Sequence, residues 1–126
     1  MRPYVFLLAA AALVPTTASA QSMNAQRFYQ RAEALKKKGP LALFAMGEIR
    51  ALMTEGKAAG AQSHANRLAA AKAGLKPRYC APEGLKSIGR EEFMTRLAAI
   101  PAADRSRIDM TEALTRILAA KYPCAA

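Results

Sequence analysis

The sequence has no tryptophan, a single histidine, two cysteines and only nine acidic residues against 19 basic ones. Each scarcity excludes something. Nucleophilic or acid–base catalysis needs a nucleophile with a base, or a paired acid and base. The one histidine, His64, lies in an alanine-rich stretch with no evident partner and reads as a solvated surface residue. Glu91 and Glu92 are adjacent, so on a helix they diverge by about 100° and cannot share a site; they read as support for a helix N-terminus. Zinc takes about four ligands, more than one histidine and two distant cysteines supply. No glycine-rich phosphate loop, metal-ligand spacing or cofactor motif occurs, so no cofactor is expected and the chain reads as a non-enzyme. Aromatic residues make up 6% of the chain, sparse for base stacking, and nucleic acid is not an expected partner. No alternating run of β-branched residues occurs, which argues against a sheet.

What is present begins with Arg2, the apolar run Tyr4 to Val14, the break at Pro15-Thr16-Thr17, and the small residues Ala18-Ser19-Ala20. That is the pattern of a secretory signal peptide. The run falls short of the twenty or so apolar residues of a membrane span, and no second hydrophobic segment follows. Cleavage is expected between Ala20 and Gln21. Residues 1–20 then form the leader, and residues 21–126 a single domain expected in the periplasm, with no transmembrane segment in the mature chain. Loss of the leader removes Arg2 and no acid, leaving a formal charge of +9 against +10 for the whole chain. Export carries Cys80 and Cys124 to an oxidising compartment, where the two have one possible connectivity. The closed loop is worth about 4 kcal/mol on the chain-entropy argument, a large share of the stability of so small a domain.

Periodicity then predicts helices throughout. Ala25, Phe28, Ala32 and Leu35 form a stripe over Asn24 to Lys38, which Gly39 closes, and Pro40 suits the first turn of the next helix. That second helix is expected from Pro40 to about Gly56, burying Leu41, Phe44, Ala45, Ile49, Leu52 and Met53. A weaker, loosely packed third helix is expected from about Ser63 to Ala73, with a break or flexibility at Gly56 and Gly60. Leu75 to Gly89, rich in proline and glycine, reads as a loop anchored at Cys80. Phe93, Met94, Leu97 and Ile100 mark a short helix from Arg90 to Ile100, stopped by Pro101. Asp109 caps the last helix, Glu112 is placed to complete a capping box, and Met110, Ala113, Leu114, Ile117 and Leu118 form its stripe. The expected fold is all-α, a small bundle of four to five helices with one disulfide.

Positive charge concentrates in Arg27 to Lys38, Lys72 to Arg78 and Lys86 to Arg107, which implies an anionic partner or a solvated face. From Tyr79 onward the pattern is more specific: Tyr79-Cys80-Ala81-Pro82-Glu83-Gly84, an amphipathic helix with Phe93, Met94 and Leu97 ending near Pro101, an apolar helix with Ala113-Leu114, and Tyr122-Pro123-Cys124. These segments resemble the Tai/Rap family of immunity proteins. Phe44-Ala45-Met46-Gly47-Glu48-Ile49 is similar to that family's second helix, with Ala45 where the family often has a cysteine. The resemblance implies a small periplasmic helical protein that neutralises a peptidoglycan amidase effector delivered by type VI secretion. The disulfide-tied loop, with Arg78, Glu83, Lys86 and Arg90, is the candidate partner-binding segment. A basic envelope-associated protein on anionic cell-wall or lipid surfaces is the alternative, a small periplasmic chaperone a third, and a homodimer stays open.

Overall fold

Asn24 and Asp109 each begin a helix, and each uses its side chain to satisfy an amide of the first turn that has no partner within the helix. Asn24 accepts from the Arg27 N–H at 3.1 Å. Asp109 accepts from the Glu112 N–H at 2.8 Å. The two starting points lie side by side in an isolated antiparallel bridge. Its hydrogen bonds run from the Ala25 N–H to the Ile108 carbonyl at 3.0 Å and from the Met110 N–H to the Met23 carbonyl at 2.7 Å. Ser22 adds to the clasp by accepting from the Thr111 N–H at 3.0 Å.

The computed structural model describes residues 22–82 and 88–125. The expected leader and its cleavage point lie outside the described residues, as do Glu83 and Lys86. The fold is all-α: α1 (Ala25–Lys37), a 3-10 helix (Gly39–Ala45), α2 (Met46–Lys72), α3 (Arg90–Ala99), the short α4 (Ala102–Arg105) and α5 (Met110–Lys121). No β-strand occurs among the described residues, and none of their helices is long and apolar enough to cross a membrane. The core gathers Ala25 and Phe28 of α1, Leu52 and Ala59 of α2, Leu97 of α3, and Met110, Ala113 and Ile117 of α5. Phe93 meets Phe28 edge to face with ring centroids 5.9 Å apart, a favoured aromatic geometry.

Helix α2 departs from expectation in two ways. It is one continuous helix across Gly56 and Gly60, not a second helix ending at Gly56 and a third starting near Ser63. Neither glycine has a positive φ, and the alanines around them are the strongest helix formers. Small residues also make the contact with α5 close where loose packing was expected. Ala59 and Ser63 are buried, and a Cβ on Gly60 would stand 3.4 Å from Leu114. Across this seam the Ser63 and Thr115 hydroxyls lie 2.8 Å apart. Thr115 gives its proton to the Thr111 carbonyl, so Ser63 is the donor to Thr115.

The second departure is the expected buried stripe Leu41, Phe44, Ala45, Ile49, Leu52 and Met53. Only Leu52 is buried; Ala45 and Ile49 are half-buried, and Leu41, Phe44 and Met53 are exposed. The cause is the winding. A 3-10 helix advances three residues per turn, so residues three apart eclipse one another. Ala42 and Ala45 take the column against the body, and the large side chains fall on the outer two. Gly39, with φ +54°, makes the left-handed turn out of α1, and Pro40 opens the 3-10 helix as expected.

Candidate functional site

The Cys80 segment of the loop is tied to the chain that leaves α5. Cys80 and Cys124 are disulfide-bonded with Cα atoms 4.9 Å apart. The Cys80 N–H donates to the Tyr122 carbonyl at 2.9 Å. Tyr79 is buried, and the Arg67 guanidinium sits 5.3 Å from its ring centroid while donating to the Ala81 carbonyl at 3.3 Å. Disulfide, strand-like hydrogen bond and buried ring thus fix Tyr79 to Ala81 against both α2 and α5.

Of the loop residues singled out from the sequence, Arg78 is committed to the fold. Its guanidinium forks onto the Glu112 carboxylate at 2.5 and 2.9 Å, and Arg116 donates to the same carboxylate at 3.0 Å. Glu112 therefore does not complete the capping box; the amide side of the cap, from Asp109, stands alone. Arg90 begins α3, is exposed, and has no ion pair among the described residues. Glu92 likewise turns from the helix N-terminus to other partners, Lys121 at 2.6 and 2.7 Å and Arg96 at 3.0 Å. His64 is exposed, and no cluster of His, Cys, Asp or Glu able to hold a metal occurs among the described residues. An open depression of about 300 Å³ between α3 and α5 is lined by Arg96 and Arg116, both already paired with acids.

These pairings set an acid limit on the fold. Arg78, with Arg116, holds the Glu112 carboxyl below its usual range; Lys121 and then Arg96 do so for Glu92, and Arg31 for Glu48. A carboxylate with a lowered folded-state pKa stabilises the fold above its unfolded value, about 4.3, and loses that contribution as pH falls through the folded value. The melting temperature should therefore hold from neutral pH down to about 5 and fall on further acidification. Glu112→Gln should show a shallower acid fall than the native chain; an identical fall in both would remove Glu112 from this role.

A second surface was not foreseen. On the 3-10 helix Leu41 is 65%, Leu43 73% and Phe44 90% exposed. Leu41 and Phe44 share one outer column, and Leu43 lies on the other, continued by the exposed Met46 at the start of α2. Immediately before this ridge stand Lys36, Lys37 and Lys38, all exposed and without an ion pair among the described residues. The signal was in the sequence, as large residues alternating with alanines after a proline, but a 100° helical wheel hides it. Comparison of the chain with family models, with curated proteins and with solved structures gives no match in any of the three.

Proposed function

We propose that the chain is an exported, non-enzymatic binding protein of the immunity kind, which in the periplasm covers and inactivates a peptidoglycan amidase effector of type VI secretion. The observation that supports this reading is the disulfide clamp. It joins Tyr79-Cys80-Ala81 to Tyr122-Pro123-Cys124, segments that carry the resemblance, and fixes the chain at the Cys80 side of the loop. An inhibitor needs a recognition element whose ordering is settled before binding, because ordering a loop at the interface costs affinity. His64 is solvated and both cysteines are oxidised, which leaves those three groups to structural or surface roles.

The test is a binding titration of the mature chain against a purified amidase effector, followed by its hydrolysis of peptidoglycan. Saturable binding at a fixed stoichiometry with loss of hydrolysis is the expected result. Complementary charge mainly accelerates encounter, so added salt should slow association more than it quickens dissociation. Reversing charge at Lys86 and Arg90 together should weaken binding with the helical spectrum unchanged. Arg78 is a poor choice for this purpose, since its reversal also breaks the Glu112 pair. No saturable binding to effectors of this class sinks the reading.

A further inference from the structure

Helix α2 keeps its two acids to one side. Leu52, Ala59 and Ser63 mark its inner side. Taking 100° per residue, the opposite side carries Met46, Arg50, Met53, Lys57, Leu68 and Lys72, all exposed, together with Thr54, His64 and small residues. The two acids of the helix, Glu48 and Glu55, lie on the inner edge. Glu48 is held there by Arg31 at 2.5 Å, and Glu55 accepts from the Met23 N–H. The outward side is thus apolar and basic with no acid, and it runs straight into the ridge of Leu41, Leu43 and Phe44 behind Lys36, Lys37 and Lys38.

We propose that this ridge and the outward face of α2 dock on a lipid bilayer with anionic headgroups. The inference goes beyond the immunity reading and uses a different part of the molecule from the disulfide clamp. Three observations favour a bilayer as the occupant. The surface has a single sign of charge, so a second copy meeting it face to face would set cations against cations. The ridge projects, with Phe44 nine-tenths exposed, and a bilayer receives projecting apolar side chains without a shaped pocket. Met46 and Met53 alternate with Arg50 and Lys57 over the first three turns of a 27-residue helix about 40 Å long, and Leu68 with Lys72 repeats the pairing near its end, which lets the apolar groups enter the interface while the basic heads stay among the phosphates.

The chain's lack of tryptophan provides the test. Phe44→Trp, at an exposed position, places the only indole on the ridge. Vesicles of equal parts phosphatidylglycerol and phosphatidylcholine should shift its emission to the blue and sediment the protein, whereas phosphatidylcholine vesicles should do so far less. The comparison is made between variants of the chain as purified from cells, each with its N-terminus read by mass. Relative to the native chain, Leu43→Ser with Phe44→Ser should lower partitioning at least tenfold. Replacing Lys36, Lys37 and Lys38 by alanine should lower it about fivefold per charge. Arg107→Ala, beside the start of α1 and away from the ridge that follows its end, should leave it within twofold, and circular dichroism should show the same helix content throughout. Emission unchanged by anionic vesicles overturns the proposal, as does vesicle binding indifferent to the ridge and lysine substitutions. A ridge-dependent dimer in sedimentation equilibrium, or ridge-dependent saturable binding to the effector with no vesicle binding, overturns it in favour of a protein occupant. Effector binding that fails while vesicle binding succeeds removes the immunity reading and leaves the docking surface standing.

Discussion

Cys124→Ser should destabilise the fold by about 4 kcal/mol, the largest effect of any single substitution expected here. The bond closes a separation of 44 residues that includes the part of the loop after Cys80, α3, α4 and α5. In the unfolded chain that closure removes conformations, and its loss returns them. Local consequences add to the entropic one, because the bond holds Cys80 where its N–H reaches the Tyr122 carbonyl and keeps Tyr79 buried. For a domain of this size the melting temperature should fall on the order of 20 °C. Thermal unfolding of the native chain, Cys124→Ser, Cys80→Ser and the double variant checks this. The two single variants should match one another, and the double should add little, since either substitution removes the same bond. A native melting temperature indifferent to reductant would show that the closure carries no stability.

Arg105→Met should cost about 2 to 3 kcal/mol. Arg105 is buried, yet among the described residues its guanidinium has no carboxylate partner. It is satisfied by neutral acceptors instead. It donates to the carbonyls of Leu97 at 3.3 Å, Ala98 at 3.1 Å and Ile100, and to the Gln26 side-chain oxygen at 2.7 Å. The carbonyls belong to the C-terminal end of α3, where helical acceptors lack internal donors and the helix dipole is negative. The guanidinium also lies 4.2 Å from the Tyr29 ring centroid, so one side chain ties α3 and α4 to α1. Methionine keeps the stem's volume and loses every one of these bonds. Lysine should recover only part of the loss, because one ammonium cannot reproduce a planar fork of donors. Urea unfolding of the three proteins measures the effect. A methionine variant as stable as the native chain would mean that the desolvation of the charge cancels its hydrogen bonds.

Arg105 also shows where reading the sequence stops. It sits in a basic stretch and reads there as one more charge for solvent or a partner; its burial depends on α3 ending beside α1, which no local pattern encodes. The same holds for Ser63, which looks like a helix weakener until Thr115 is placed opposite it. Local signals were legible: the Asp109 cap, the turn at Gly39, the stop at Pro101 and the cysteine pairing all rest on residues near one another or on elimination. The period of the segment after Gly39 was not, since 100° and 120° windings of the same seven residues place opposite side chains inward. The candidate site divides along the same line. The clamp could be read from its cysteines, whereas the commitment of Arg78 to Glu112 and the exposed ridge both required the fold.

The clasp between Ser22–Ala25 and Ile108–Thr111 bears on the order in which the protein can come into being. Translation delivers α1 before α5, yet α5 packs against α1, α2 and α3, and the start of α1 is hydrogen-bonded to the start of α5. A nascent chain that has not reached Asp109 holds Phe28, Leu52 and Leu97 with no α5 to bury them. Contacts this distant in sequence form only after the intervening chain is available, so folding of this domain follows the synthesis of α5 rather than accompanying that of the earlier helices. Products truncated before α5 would then be substrates for proteolysis rather than partly working versions of the protein.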